Sequence, residues 1–229
     1  MRSSFPSVPA SALARQLARW LPAAADAPRQ DVAERLGQWL SVTEAVKLHA
    51  ARPAIAAAGA AARRRPPRLP SARLHETLSN ELERVRAVLT RSITASPSHQ
   101  PDPSDLDTEL ALFQQRLGDQ QRRMELSVDA LREHVRQHLA QSTPELAQLA
   151  AIDAVMDSFF GGREQRLLNT LPAHLKARFA ALRQEAAGSG APDHRRWLQA
   201  FEAEFQQLLL AELELRLQPV IGLIESLDA

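Results

Sequence analysis

Residues 104–141 read SDLDTELALFQQRLGDQQRRMELSVDALREHVRQHLAQ, and this stretch decides the fold. Leu106, Leu110, Phe113, Leu117, Met124, Val128, Leu131, Val135 and Leu139 recur at steps of three or four residues, with one step of seven. That period lines one stripe of an α-helix. As one helix the stretch extends ~55 Å at 1.5 Å per residue. Gly118, Gln120 and Gln121 interrupt the stripe midway. The rest is polar, so the stripe is a narrow seam suited to helix–helix pairing rather than a broad globular face.

Immediately upstream, residues 71–93 carry a matching seam of Leu74, Leu78, Leu82, Val85, Leu89 and Ile93. Neither seam is wide enough to close a core by itself. The two segments are therefore expected to pair as a long antiparallel, coiled-coil-like hairpin over residues 71–141, broken by the prolines Pro97, Pro101 and Pro103.

Downstream, residues 143–229 read as C-terminal helices of the same main bundle. Thr143-Pro144 has the form of an N-cap followed by proline at the first helical position. Leu146, Leu149, Ile152, Val155, Met156 and Phe159 form the stripe of that helix, and Gly161-Gly162 is expected to kink or end it. Pro172 opens another helix with Leu175, Phe179 and Leu182. The last helix carries two rows, one of Leu198, Phe201, Phe205 and Leu208, the other of Leu209, Leu213 and Leu217. Apolar residues on two sides imply a helix buried between neighbours. Pro219 is expected to kink or break it before Val220, Leu223, Ile224 and Leu227 dock.

Upstream, residues 1–50 are expected to form a helical hairpin. A short helix carries Leu13, Leu17 and Leu21. A second starts at Asp31 with Glu34 as a capping-box partner and has a stripe of Val32, Leu36, Trp39, Leu40, Thr43 and Val46. Trp20 and Trp39 would meet between them. Residues 51–70, ARPAIAAAGAAARRRPPRLP, are nearly all Ala, Gly, Pro and Arg. They read as a flexible basic linker, because such a segment offers little large apolar surface to offset chain ordering.

The chain has 229 residues, 45% hydrophobic, with 15 prolines, eight glycines and no cysteine. The composition fits a globular all-α protein and argues against an all-β one. Without cysteine, disulfides, thiol nucleophiles and Cys-based zinc or iron–sulfur sites are excluded. The net charge of +1 hides an asymmetry: residues 1–93 carry +8 and residues 94–229 carry −7. Opposed halves can attract each other or an oppositely charged partner. Only Lys47 and Lys176 are lysines. Arginine throughout, with abundant alanine, looks like codon bias of a high-GC genome, so arginine content says little about phosphate binding. No apolar run approaches the ~18–20 residues of a membrane span. The arginine- and serine-containing first 25 residues resemble a transit peptide, but an ordinary amphipathic first helix accounts for them better.

The motifs point away from catalysis. His134 and His138 lie four residues apart on one helix face and could share a metal. Val135, however, stands where a metalloprotease needs glutamate, and no third ligand is evident. Asp153 and Asp157 share a face and read as a solvated surface. Gly161-Gly162, near Arg163 and Arg166, could form an anion nest, although a helix kink explains the pair better. No G-x-S-x-G, P-loop or G-x-G-x-x-G occurs. No catalytic, cofactor or metal residue is therefore assigned. Arg63, Arg64, Arg65 and Arg68 are the one candidate polyanion-binding cluster, without aromatics to stack bases.

Residues 34–46 (ERLGQWLSVTEAV), 149–157 (LAAIDAVMD) with 163–168 (REQRLL), and 210–225 (LAELELRLQPVIGLIE) resemble an uncharacterised, all-helical proteobacterial family, a domain of unknown function. The resemblance covers most of the chain outside the proline-rich stretches. These are helical surface patterns, so they carry over no catalytic residue and no cofactor. The family's members tend to be encoded beside envelope proteins, including ones that look like proton-channel motor subunits. The resemblance thereby implies a cytoplasmic accessory of a membrane complex.

The expected protein is an elongated all-α bundle, not an enzyme, that presents helical faces to a protein partner in the cytoplasm. Self-association is compatible with this reading. The alternative is a nucleic-acid-associated accessory acting through residues 63–68, disfavoured because a proline-broken arginine segment usually stays solvated.

Overall fold

A computed structural model describes residues 11–20, 42–64, 71–95, 105–188 and 194–228. Among the described residues there are seven α-helices and no strand. They are α1 (Ala12–Trp20), α2 (Val42–Arg63), α3 (Ser71–Thr94), α4 (Leu106–Leu139), α5 (Pro144–Leu168), α6 (Leu171–Gly188) and α7 (His194–Glu225).

The helix ends follow from local chemistry. The Asp105 carboxylate caps α4 by accepting from the backbone N–H of Thr108 at 3.1 Å, with Asp107 and Glu109 in the first turn and Arg136 and His138 in the last. This charge order favours the helix dipole. Thr143 caps α5, its hydroxyl accepting from the Leu146 N–H at 3.3 Å, with Pro144 following.

The core is organised around α7, which packs on α1, α3, α4 and α6. Both of its rows, from Leu198 to Leu208 and from Leu209 to Leu217, are buried. Burying each such side chain contributes about 1.5–3 kcal/mol. Where α4, α6 and α7 meet, Phe113 lies edge-on to Phe201 at 4.8 Å and to Phe205 at 5.3 Å, and Phe179 contacts Phe201 and Trp197. The seam leucines of α3 and α4 are buried as their period predicts, apart from Leu106 and Leu110, which are partly buried at the start of α4. The α3 seam, however, is shared between α4 and α7, making a three-helix contact rather than an isolated pair. The residues that interrupt the α4 seam are cross-links. The Gln120 amide donates to the Ser92 carbonyl at 3.1 Å, and the Gln121 amide donates to Glu212 at 3.1 Å.

Four expectations are corrected. Residues 51–63 of the supposed flexible linker belong to α2, which lies along α5. Alanine is the best helix former, and small side chains let two backbones approach closely. Ala62, Ala147 and Ala150 are buried, and a Cβ on Gly59 would stand 2.6 Å from the Gln148 amide nitrogen. Gly59 thus sits opposite the first turns of α5, while the more buried positions of α2, at Leu48, Ala51, Ile55 and Ala58, run back from it. The two helices are therefore antiparallel. Of the predicted α5 stripe, Leu146 and Leu149 are partly buried against the core while Ile152 is 39% exposed, and the fully buried residues of α5 are Ala147, Ala150 and Leu168. Helix α5 also runs unbroken through Gly161-Gly162, and α7 through Pro219. Residues 65–70 and the predicted second helix up to residue 41, including Trp39, lie outside the described residues.

Candidate functional site

The strongest charged constellation joins α4 to α5. Arg132 and Arg136 lie one turn apart on α4, and Asp153 and Asp157 one turn apart on α5. Arg132 donates to both Asp153 oxygens, at 2.9 and 2.6 Å, and to Asp157 at 2.7 Å. Arg136 donates to Asp153 and to Asp157, each at 2.7 Å. Both arginine side chains and that of Asp153 are at most 14% exposed. Burial works against the Asp153 carboxylate, but the hydrogen bonds and charges of the two arginines outweigh it and hold its pKa below the ordinary value. The expected solvated face is corrected in part: Asp153 is enclosed by the two arginines, while Asp157 shares them from the rim, its side chain 37% exposed. The i, i+4 arginines on the preceding helix were the signal that could have revealed it.

Beside the quartet, a cleft of about 470 Å³ opens between α4, α5 and α7. Arg132, Asp157, Asp129, Glu125, Arg216 and Gly162 are among its lining residues. Glu125 and Asp129 make no ion pair with the described residues. Burial, with the repulsion of Asp157 and Glu125, raises the Asp129 pKa above its ordinary value. Behind the cleft Glu212 is fully buried, accepting from Arg216 Nε at 2.9 Å and from Gln121. This buried charge sits in a row of leucines and has no sequence motif. The Ser158 hydroxyl donates to the Val155 carbonyl at 2.7 Å.

The other sequence candidates are dispersed. Arg63 and Arg64 are exposed at the C-terminal end of α2, whereas Arg65 and Arg68 lie outside the described residues. His134 and His138 stack edge-to-face with centroids 4.6 Å apart, and His134 Nε2 lies 3.2 Å from Glu81 of α3. Among the described residues no group of three or more His, Cys, Asp or Glu is placed to hold a metal ion. Because α5 is helical through Gly161-Gly162, no anion nest forms there, and the Gly162 carbonyl accepts from Arg166 Nε at 3.0 Å.

Ion pairs also join the other helices. Arg116 pairs with Glu202 across α4 and α7, Arg178 with Glu204 across α6 and α7, and Arg86 with Glu214 across α3 and α7. The class so defined is an all-α bundle in which ion pairs cross several of the helix contacts. The chain belongs to the family described as a protein of unknown function (DUF3348), whose model matches residues 2–229. No curated protein and no solved structure matches it. Among the described residues no helix is long and apolar enough to cross a membrane.

Proposed function

We propose that the protein is a non-enzymatic helical adaptor that presents the coiled-coil-like α3–α4 hairpin to a protein partner, as a cytoplasmic accessory of a membrane-associated complex. One observation carries the reading. Ser92 bonds Gln120 and Glu81 meets His134, so α3 and α4 run antiparallel and Val88 stands level with Leu126. Both side chains are outside, 48% and 67% exposed. A level pair of large apolar residues on two rigidly joined helices suits a helical partner, which reads anchors at such spacing. The location beside a membrane complex rests on the family resemblance.

The test places a photo-cross-linking amino acid at Val88 or at Leu126 in the full chain, expressed in its own host. The expected result is one protein adduct from both positions, found in the membrane fraction and lost in a Val88→Glu, Leu126→Glu variant that melts like the parent. Adducts that vanish on nuclease treatment would support instead the nucleic-acid reading based on Arg63 and Arg64. No adduct from either position overturns the adaptor reading.

A further inference from the structure

Val88 and Leu126 are each bracketed by arginines. Arg84 stands four residues before Val88 and Arg91 three after it, while Arg122 and Arg123 stand four and three before Leu126. At those spacings each arginine neighbours its apolar residue on the helix surface. All six side chains are exposed. Among the described residues none of the four arginines forms an ion pair. Two of them are nevertheless held by neutral acceptors. Arg91 Nε donates to the Ala87 carbonyl at 3.2 Å, and Arg123 Nη1 donates to the Ser92 hydroxyl at 2.9 Å. These bonds orient the guanidinium groups without answering their charge. The second bond crosses from α4 to α3, so the basic residues of the two helices form one patch. The arginines that cross helix contacts differ: Arg86, Arg116, Arg132, Arg136 and Arg178 each meet a carboxylate.

The patch is bounded along α4. Asp119 lies one turn before Arg122 and Arg123, and Glu133 lies two turns after Leu126, both exposed. From one to the other α4 rises ~21 Å, about four turns. Asp129, one turn after Leu126, lines the α4–α5–α7 cleft. We propose that this face takes an acidic amphipathic helix of the partner protein, about four turns long, with two apolar anchors flanked by carboxylates. The proposal rests on the adaptor reading and adds the partner's chemistry. Arginine forks match carboxylates in geometry as well as charge. Complementary charge steers such a helix in and turns a basic one away. Val88 and Leu126 supply the apolar contact that a helical ligand reads through its anchors. An anionic membrane fits less well, because surface insertion needs a wide apolar stripe and this face has two large apolar residues between two acids. A nucleic acid would find no aromatic side chain among these residues to stack a base.

The test uses purified full-length protein and two fluorescein-labelled peptides of about four helical turns, each with two leucines one turn apart. One peptide carries glutamate around the leucines, the other lysine. Anisotropy is read at low and physiological salt, beside phosphatidylglycerol vesicles and a random-sequence DNA duplex. The glutamate peptide is expected to bind saturably, at least ~10-fold tighter than the lysine peptide, and to weaken as salt rises. Arg84→Gln, Arg91→Gln, Arg122→Gln and Arg123→Gln combined are expected to cost at least ~10-fold, as is Val88→Ser with Leu126→Ser. Arg63→Gln with Arg64→Gln, on α2, is expected to leave binding unchanged. Should the fourfold variant melt early, Arg84→Gln with Arg122→Gln decides: neither side chain bonds within the described residues, and their loss should still weaken binding. No saturable binding, equal binding of the two peptides, full binding by the glutamine variants, or vesicles or DNA held as tightly at physiological salt would each overturn the assignment. The cross-links at Val88 and Leu126 judge the adaptor reading separately. A protein adduct that survives the four glutamine substitutions leaves an adaptor standing and overturns only its acidic partner.

Discussion

Gly59 and Gly162 are both helical glycines, and the space around them gives them opposite roles. A Cβ at Gly162 meets nothing within 4 Å, whereas one at Gly59 runs into the Gln148 side chain as far as its Cγ, at 2.8 Å. Gly162→Ala is therefore expected to stabilise by up to about 1 kcal/mol, raising Tm by ~2–4 °C for a chain of this size. Gly59→Ala is expected to lower Tm despite the same gain in propensity. Two thermal melts check the pair. Asp129 and Asp153 are likewise opposed. The Asp153 pKa is depressed in the folded chain, so its contribution is present above the unfolded value near 3.8 and is lost as pH falls through the folded value. The Asp129 pKa is raised, so its charged form opposes folding above the raised value, and that cost fades as pH falls toward 3.8. Asp129→Asn should hence raise stability at pH 7 and converge on the parent in acid, which denaturant melts across that range would reveal. Glu212 is a third case. Glu212→Ala leaves Arg216 buried without its partner and should cost about 3–5 kcal/mol, while replacing both by leucine should recover most of it.

At the scale of elements, the leucine seams were legible because large side chains at helical spacing have one way to leave water. Leu117→Asp, at a fully buried position, is expected to destabilise by several kcal/mol. Leu126→Asp, nine residues on but outside, should melt with the parent; chemical denaturation of both variants tests the seam. Helix α2 was not legible in the same way. Its alanines show no contrast of large apolar and polar faces, and its packing comes from the closeness of its backbone to α5. The Asp153–Asp157 pair was visible as a spacing. The enclosure of Asp153 and the pairing of both with arginine were not, because these depend on which turn of α4 lies across from them. Glu212 was illegible for a related reason: it is a polar residue on a face whose neighbours arrive from far along the chain. The two rows of α7, by contrast, announced a helix surrounded on several sides, and α7 is surrounded by four.

For the whole molecule, the charge asymmetry of the sequence is partly spent inside the fold. Arg86–Glu214 joins a cation of the N-terminal portion to an acid of the C-terminal one. Arg63 and Arg64 remain at the surface. DNA or RNA binding is therefore expected to be weak, to collapse with modest salt and to be reduced by Arg63→Ala with Arg64→Ala, as counterion release dictates. Fluorescence anisotropy at two salt concentrations measures this, and sequence-selective binding that survives physiological salt would contradict it. The central place of α7 has a consequence for the making of the protein. The helix on which α1, α3, α4 and α6 all rest is the last of the described helices to be synthesised. While the ribosome is still short of residue 194, the faces of α1, α3, α4 and α6 that rest on α7 stay uncovered, and α1 waits more than 170 residues for its main neighbour. A chain ending before α7 is therefore expected to expose apolar faces of four helices and to be cut by protease faster than the full chain, which limited proteolysis of the two would measure.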